Sequence, residues 1–184
     1  MQRALIERLK REIRTVPDFP KPGIAFKDIC SILENPILMQ DVCQGLYHDL
    51  VPLKGKVTHV VSLESRGFIF GTVMALYLKV PMIIVRKPGK LPGELVSVDY
   101  KKEYGVDTLT VESDSFGKGD QVLIHDDLLA TGGSAVAAAK LVHKCGAEVC
   151  GFSFIMELNE LEGRKKLQLF SDHINSVVNF EKGE

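Results

Sequence analysis

Two adjacent carboxylates, Asp126 and Asp127, follow an apolar run and precede a turn of small residues. The turn contains Gly132 and Gly133 and leads into an alanine-rich stretch with helical character. A glycine turn between a strand and a helix exposes backbone N–H groups, and the helix dipole favours an anion there. The carboxylates repel an anion, but they suit sugar hydroxyls or a hard divalent cation. A phosphorylated sugar would satisfy both halves of the pattern.

Residues 130–134 are termed the glycine loop below, and Thr131 and Ser134 add hydroxyl donors to its backbone N–H groups. The loop lacks the Gly-Lys-Ser/Thr ending of a Walker loop and the Gly-x-Gly-x-x-Gly spacing of dinucleotide sites. A solvated acid pair beside an ordinary turn is the alternative interpretation. Acids, glycines and hydroxyls together at a strand-to-helix junction favour a sugar-phosphate site.

Hydrophobic periodicity predicts the elements that position these residues. Helices are predicted over residues 2–14, 37–50, 68–78 and 134–145. Strands are predicted over residues 57–63, 82–86, 121–125, 150–156 and 176–180. Their alternation predicts a parallel sheet with right-handed crossovers, in which ligands bind beyond the carboxyl ends of the strands. Two segments lie at such ends, residues 62–67 and 126–134, and we expect them to face one cleft.

A long insertion, residues 87–112, interrupts this alternation. It is rich in proline and glycine near its start and then alternates weakly towards Val111. Long insertions inside compact domains are usually functional or disordered, so we predict a mobile flap ending in a hairpin. Arg86, Lys87 and Lys90 place positive charge at its base.

Composition limits the class of protein. A chain of 184 residues suits one domain, and 45% hydrophobic with 26% charged residues is ordinary for a globular protein. The net charge of −1 predicts no nucleic-acid or membrane-surface partner, and no apolar run reaches the roughly 18 residues that span a bilayer. The four cysteines lie in apolar surroundings without Cys-x-x-Cys pairing, which favours reduced thiols in a cytoplasmic protein.

Five stretches of the chain, in order, resemble type I phosphoribosyltransferases, and the resemblance spans nearly the whole sequence. Their residues are 17–24, 65–71, 86–92, 103–105 and 126–133. The last stretch, Asp-Asp-Leu-Leu-Ala-Thr-Gly-Gly, is most similar to the adenine-specific members. The resemblance implies an α/β fold for one domain, residues 1–184. In it a twisted, mainly parallel sheet is flanked by helices, with an N-terminal helix and hood (residues 1–35) and a flexible flap (residues 87–112).

The resemblance also implies an activity. It is the transfer of the phosphoribosyl group from phosphoribosyl diphosphate to adenine, giving AMP and diphosphate in purine salvage. Mg²⁺ would be bound mainly through phosphoribosyl diphosphate, with no protein ligand assigned to it. A homodimer in the cytoplasm is expected from the family.

Roles for individual residues follow from the same resemblance. In the family the acid pair holds the ribose hydroxyls, the glycine loop cradles the 5′-phosphate, and a flap glutamate acts as an acid near the purine N7. The residues that would take part in catalysis are Arg66, Glu103, Asp126 and Asp127. The residues that would contact substrate are Ala25, Phe26, Lys27, Glu64, Ser65, Gly67, Arg86, Lys87, Lys90, Tyr104, Leu128, Ala130, Thr131, Gly132, Gly133 and Ser134.

The family resemblance also implies particular contacts and residue types at several of these positions. In the hood, Phe26 stacks on the base and the backbone at Ala25 reads the purine edge. The turn at Ser65 holds diphosphate and contains a cis peptide before the serine. Lys27 stands where many relatives carry arginine, and His125 replaces an apolar residue.

Two other functions stay open. One is a phosphoribosyltransferase for another base, such as xanthine or orotate, which a panel of bases would distinguish. The other is a regulator that keeps the sugar-phosphate pocket as a sensor. Such regulators usually add a DNA-binding domain or a basic RNA-binding face, and only a short helix precedes the hood here.

Overall fold

The chain forms an α/β fold over residues 2–101 and 105–184, which are the residues that this computed structural model describes. The α-helices are α1 (Gln2–Glu12), α2 (Cys30–Leu33), α3 (Pro36–Leu50), α4 (Gly67–Leu78), α5 (Gly133–Lys144) and α6 (Gly163–Leu167). The strands are β1 (Arg14–Val16), β2 (Phe26–Asp28), β3 (His59–Leu63), β4 (Met82–Val85), β5 (Leu95–Lys101), β6 (Val106–Glu112), β7 (Gln121–Leu129), β8 (Glu148–Leu158) and β9 (Ile174–Phe180). Short 3₁₀ turns cover Val51–Leu53 and Asn159–Leu161.

A five-stranded parallel sheet in the order β4-β3-β7-β8-β9 confirms the predicted fold class. Strands β3 and β7 are parallel neighbours, and Ser62 near the carboxyl end of β3 pairs with His125 of β7. The segments that follow these strands therefore meet at one edge of the sheet, as the sequence predicts.

Helices cover both faces of the sheet. On one face α5 packs with the β5–β6 hairpin, burying side chains such as Val111 and Leu141. On the other face α1, α3 and α4 bury side chains such as Leu46 and Phe70. Removing each such side chain from water stabilises the fold by about 1.5–3 kcal/mol, before the entropy cost of ordering it.

Local sequence features determine where α3 begins and how closely α4 approaches the sheet. Asn35 begins α3, because its side chain accepts hydrogen bonds from the N–H groups of Ile37 and Leu38 while Pro36 takes the first helical position. Helix α4 approaches the sheet closely at Gly71. A Cβ there would lie 1.8 Å from Ser62 Oγ, so only glycine fits.

Strand β7 is longer than predicted. The sequence pattern ends the strand at His125, but pairing with β8 continues as far as Leu129 opposite Glu157. The acid pair therefore lies within the strand and not in the turn after it. The polar character of Asp126 and Asp127 hides this continuation, which depends on the long neighbouring strand. The short elements β1, β2, α2 and α6 were not predicted, since three to five residues carry too little periodicity.

The flap contains the predicted hairpin. Strands β5 and β6 pair antiparallel, and mutual backbone hydrogen bonds between Arg86 and Thr110 join the hairpin to the end of β4. Residues 102–104 lie outside the described part of the chain. The mobility of the flap stays a prediction.

Two findings concern the expected environment of the protein. Within residues 2–101 and 105–184, no helix combines the length and the apolar character that crossing a membrane requires. The four cysteines are all free thiols.

A row of buried polar residues crosses the centre of the sheet. Ser62, His125 and Ser153 pair side by side on β3, β7 and β8, and all three are inaccessible to solvent. Burial lowers the pKa of His125 to about 4, because a charged imidazole would lose its hydration. The ring is therefore neutral in the folded protein at neutral pH.

This burial predicts a pH-dependent stability. The folded-state pKa of His125 lies below its ordinary value of 6.5, so the unfolded chain binds the proton first as the pH falls. The contribution of the neutral ring is present above about pH 6.5 and is lost towards pH 4. The free energy of unfolding of the wild type should fall between pH 7 and pH 5, and in His125→Leu this fall should be smaller by about 2 kcal/mol. Urea unfolding at the two pH values measures the free energy, with His173→Leu at an exposed position as the control. Equal pH dependence of the wild type and His125→Leu would contradict the assignment.

Candidate active site

A cleft of about 590 Å³ lies at the carboxyl edge of the sheet. It is lined by the end of β7, the glycine loop, the ends of β3 and β5, and the hood. Nine of the predicted site residues line it together: Glu64, Lys87, Asp126, Leu128, Ala130, Thr131, Gly132, Gly133 and Ser134. The expectation that the two loop segments face one cleft is confirmed.

The two carboxylates of the acid pair have different environments. Neighbouring residues in a strand point to opposite faces, so the side chains of Asp126 and Asp127 diverge. Asp126 lines the cleft and is partly exposed, whereas Asp127 is 3% exposed. The guanidinium of Arg66 lies 2.8 Å from Oδ2 of Asp127, and the Asp127 N–H donates to Oδ1 of Asp126 over 2.9 Å.

Burial sets the protonation of the pair. It raises the pKa of Asp126 well above its usual range, and the neighbouring Asp127 carboxylate raises it further. Burial also raises the pKa of Asp127, although the nearby Arg66 opposes this shift. A positive charge in the cleft would favour the ionised form of Asp126. The pair is therefore suited to stabilise positive charge on a bound ligand.

The turn from Glu64 to Gly67 brings Arg66 to the acid pair. Gly67 begins α4 against β7, where a Cβ would lie 3.1 Å from Oδ1 of Asp126 and from the carbonyl oxygen of His125. The Glu64–Ser65 peptide bond is cis, as the family resemblance implies. The guanidinium of Arg66 also lies 5.3 Å from the centre of the Phe26 ring, within cation–π range. The hood, the turn and the acid pair are therefore in contact.

The glycine loop joins β7 to α5. Gly132 adopts φ +76°, a left-handed conformation that favours glycine, and its carbonyl accepts the hydrogen bond of Val136 in the first turn of α5. The first turn of this twelve-residue helix contains no acidic residue. The loop therefore presents backbone N–H groups beside the positive end of a helix dipole, as a phosphate site requires.

Two of the three positive residues at the base of the flap pair with carboxylates. Arg86 Nε lies 2.9 Å from Glu64 Oε2, and Lys87 Nζ lies 3.1 Å from Asp107 Oδ2. Lys90 is exposed, and its carbonyl accepts from Arg86. Lys87 alone among these cations lines the cleft within the described residues. A bound anion would compete with these carboxylates for Arg86 and Lys87.

The hood contributes Pro20, Lys21 and Ile24 to the lining of the cleft. Behind them Phe19 and Phe26 pack edge to face, with their ring centres 5.2 Å apart. Ala25 is exposed and immediately precedes β2. Phe26 reaches the site through Arg66 and is not itself among the lining residues.

Lys27 is directed differently from the expectation. Its side chain is buried, and the amine donates to Thr15 Oγ1 over 2.9 Å and to the carbonyl of Glu184 over 2.7 Å. The amine also lies 4.2 Å from the centre of the Phe180 ring. Alternation along β2 turns Lys27 away from the side chain of Phe26, so the structure does not bring its amine into the cleft.

Some site residues escaped the sequence interpretation. Leu63, Tyr100, Lys101, Leu109, Leu129, Ala135 and Leu161 also line the cleft. Most of them are adjacent to, or within, segments that the sequence assigns to the site, and this proximity could have identified them. Leu161 had none, because it comes from the turn after β8 and reaches the cleft only through the tertiary fold. The predicted Glu103 and Tyr104 lie outside the described residues.

The chemistry of the site also bears on metal binding. No cluster of three or more histidine, cysteine or acidic side chains with metal-binding geometry occurs in the described residues. Asp126 nevertheless offers a hard oxygen ligand within the cleft. This donor set fits a divalent cation that takes most of its ligands from a bound substrate.

Comparison with known proteins agrees with this geometry. The family model for the phosphoribosyl transferase domain matches residues 30–183, so the chain is a phosphoribosyltransferase by family. An adenine phosphoribosyltransferase from Picosynechococcus sp. is 48% identical over 159 residues, which cover 86% of this chain and 92% of the relative. The chain belongs to the adenine phosphoribosyltransferases.

Solved structures share the fold over almost the whole chain. The adenine phosphoribosyltransferase of Thermoanaerobacter pseudethanolicus aligns with a TM-score of 0.89 and 43% identity, covering 95% of this chain and 99% of the other. That of Saccharomyces cerevisiae aligns with a TM-score of 0.88 and 39% identity, covering 95% and 99%. The yeast structure is a complex with adenine and an imino-altritol bisphosphate.

The acid pair leads to a prediction about turnover. We expect Asp126→Asn and Asp127→Asn each to lower kcat by the equivalent of about 2–4 kcal/mol, because each removes a preorganised negative charge. The KM for adenine should change by less than about threefold, since the charge acts mainly in the transition state. Steady-state kinetics measure both constants, with Asp114→Asn as the control at an exposed position outside the cleft. Normal turnover in the double variant would show that the carboxylates take no part.

Proposed function

We propose that the protein transfers the 5-phosphoribosyl group from phosphoribosyl diphosphate to adenine, giving AMP and diphosphate in purine salvage. The observation that carries this proposal is the continuity of the acid pair with the glycine loop, at the edge of a parallel sheet. A site for negative charge and a site for positive charge are thus held a few residues apart. The ligand that matches both is a phosphorylated sugar that develops positive charge during the reaction.

The glycine loop binds the 5′-phosphate in this proposal. Its N–H groups and the hydroxyls of Thr131 and Ser134 donate to the phosphate oxygens. Asp126 and Asp127 accept hydrogen bonds from the ribose hydroxyls. They also stabilise the oxocarbenium-like charge that forms at the sugar C1 as diphosphate leaves.

Positive charge at the other side of the cleft receives the diphosphate. Arg66 suits a bidentate contact with phosphate oxygens, and Arg86, Lys87 and Lys90 add charge at the base of the flap. Arg86 and Lys87 exchange Glu64 and Asp107 for the diphosphate when it binds. This exchange makes diphosphate binding and the position of the flap interdependent.

The hood recognises adenine in this proposal. Phe26 supports the base, and the backbone near Ala25 pairs with the polar edge of the purine. Adenine must lose one proton as its N9 bonds to the sugar C1. The carboxylate of Glu103 accepts this proton from N7 and acts as an acid at N7 in the reverse direction, a role that rests on the family resemblance. Closure of the flap then excludes water, which would otherwise hydrolyse the activated sugar.

Mg²⁺ is the cofactor in this proposal. It would be held mainly by oxygens of phosphoribosyl diphosphate, and Asp126 in the cleft could add a protein carboxylate. When bound, it neutralises charge on the diphosphate and improves it as a leaving group. The protein then needs no metal cluster of its own.

Formation of AMP from adenine and phosphoribosyl diphosphate, with and without Mg²⁺, tests the proposed function. We expect adenine to exceed hypoxanthine and guanine in kcat/KM by a factor on the order of 10⁴, because a 6-oxo group would leave buried hydrogen-bonding groups unpaired. Removal of Mg²⁺ with a chelator should abolish turnover.

The other candidate functions define contradicting outcomes of that assay. Comparable use of hypoxanthine, xanthine or orotate would indicate a different base specificity. Tight binding of phosphoribosyl diphosphate without turnover of any base would indicate a sensor.

We further propose that the protein forms a homodimer through the outer surface of α4. Leu76 and Tyr77 are 74% and 44% exposed there, and the ring of Tyr77 contacts that of Tyr47 on α3. Ile84 adds exposed apolar surface on the edge strand β4. A contiguous apolar surface on a globular protein commonly marks an interface.

Sedimentation analysis tests this assembly. We expect the wild type to sediment at twice the chain mass of 20.4 kDa and Leu76→Glu to shift it towards the monomer, because a charge in an apolar interface is left unpaired. Leu169→Glu is the matched control, since Leu169 is 84% exposed and lies beyond α6. A monomeric wild type, or a Leu76→Glu variant that stays dimeric, would contradict the proposed interface.

We also propose that the protein works in the cytoplasm. Its four free cysteines suit a reducing compartment, where thiols persist. Cell fractionation with an antibody to the protein measures the location, and recovery outside the cytoplasmic fraction would contradict it.

A further inference from the structure

The back of the glycine loop rests on a segment that the sequence pattern did not connect with the site. This segment, residues 161–167, is termed the brace and comprises Leu161, Glu162 and helix α6. A Cβ on Gly163 would lie 2.3 Å from the carbonyl oxygen of Ala130 and 2.9 Å from the nitrogen of Gly132. A Cβ on Gly132 would in turn lie 3.0 Å from the carbonyl oxygen of Gly163. The two backbones are therefore in direct contact, and a side chain at residue 163 would force one of them to move.

A specific hydrogen bond joins the brace to the loop. The amine of Lys166 donates to the carbonyl oxygen of Thr131 over 2.8 Å. Because the C=O and N–H of a trans peptide group point in opposite directions, holding this carbonyl also fixes the direction of the Gly132 N–H. Lys166 thereby orients one of the donors that the loop offers to a ligand.

The brace is itself anchored to the sheet. Arg164 forms a two-pronged ion pair with Glu157, with Nε 2.9 Å from Oε1 and Nη2 close to Oε2. Its Nη1 donates to the carbonyl of Ile174 on β9, and Ser176 donates to Glu157 over 2.6 Å. Glu157 is 4% exposed, and losing Arg164 would leave its buried carboxylate without a compensating charge. The brace is therefore fixed relative to β8 and β9.

We propose that the brace holds the glycine loop in its binding conformation, with Gly163 and Lys166 as positioning residues for the 5′-phosphate. The inference rests on the proposed role of the loop in phosphate binding. Neither residue needs to contact the substrate. The brace supplies rigidity that the glycines of the loop cannot supply, since glycine is the residue with the greatest backbone freedom.

Replacing Lys166 tests the inference. We expect Lys166→Met to raise the KM for phosphoribosyl diphosphate about tenfold, the effect of losing one hydrogen bond from a charged donor, with the KM for adenine unchanged. Lys166→Arg keeps a donor and should restore most of the affinity. Lys165→Met is the matched control, because Lys165 is on the same helix, carries the same charge, and pairs with Glu162 on the surface. An equal effect of Lys165→Met would indicate general charge attraction and overturn the positioning role.

A measurement on the ligand-free protein separates positioning from binding. Hydrogen exchange of residues 130–134 should be faster in Lys166→Met than in the wild type or in Lys165→Met. Unchanged exchange together with an unchanged KM would overturn the inference.

A loop variant distinguishes failure of the inference from failure of the proposed function. Thr131→Val combined with Ser134→Ala removes two donors of the loop and leaves the brace intact. If this variant raises the KM for phosphoribosyl diphosphate and Lys166→Met does not, the brace inference alone fails. If the loop variant has no effect, the hydroxyls of Thr131 and Ser134 do not bind the phosphate, and that part of the proposed function fails.

Discussion

The ion pair between Arg66 and Asp127 is the contact on which the architecture of the site depends. It joins the turn before α4 to the end of β7, and the same guanidinium lies against Phe26 in the hood. Three parts of the chain that are distant in sequence thus meet at one charged group. The pair is tolerated because the arginine is partly exposed and keeps some hydration, while the buried carboxylate gains an opposite charge close by.

Charge in the cleft is arranged in opposing pairs. The net charge of the chain is only −1, yet carboxylates gather at β7 and cations at the base of the flap. Arg86 and Lys87 are each neutralised by a carboxylate. Such pairing avoids the repulsion that unbalanced charge would create in a folded domain. An anionic ligand can replace Glu64 and Asp107 as the partner of these cations, and a cation bound with that ligand can compensate the released carboxylates.

Features that depend on the local sequence pattern are predictable from the sequence. Periodicity located the long helices and the core strands to within a few residues, and the glycine loop identified the site. Features that depend on contacts with distant parts of the chain are not predictable in this way. The acid pair belongs to β7 only because β8 is long enough to pair with it, and Lys27 turns inward because β2 pairs with β1. The brace has an unremarkable charged sequence, and its relation to Gly132 exists only in the folded chain.

The buried polar row across β3, β7 and β8 bears on how the sheet assembles. Ser62, His125 and Ser153 are aligned only when all three strands take the observed alignment. A slip of one residue in any strand turns its polar member to the opposite face and brings apolar side chains against the remaining two. The small side chain of Ser62 also faces Gly71 of α4, which lies so close that a one-residue slip of β3 would bring the larger Val61 or Leu63 against the helix backbone. The row thus acts as a register mark that favours one assembly of the sheet over its near alternatives.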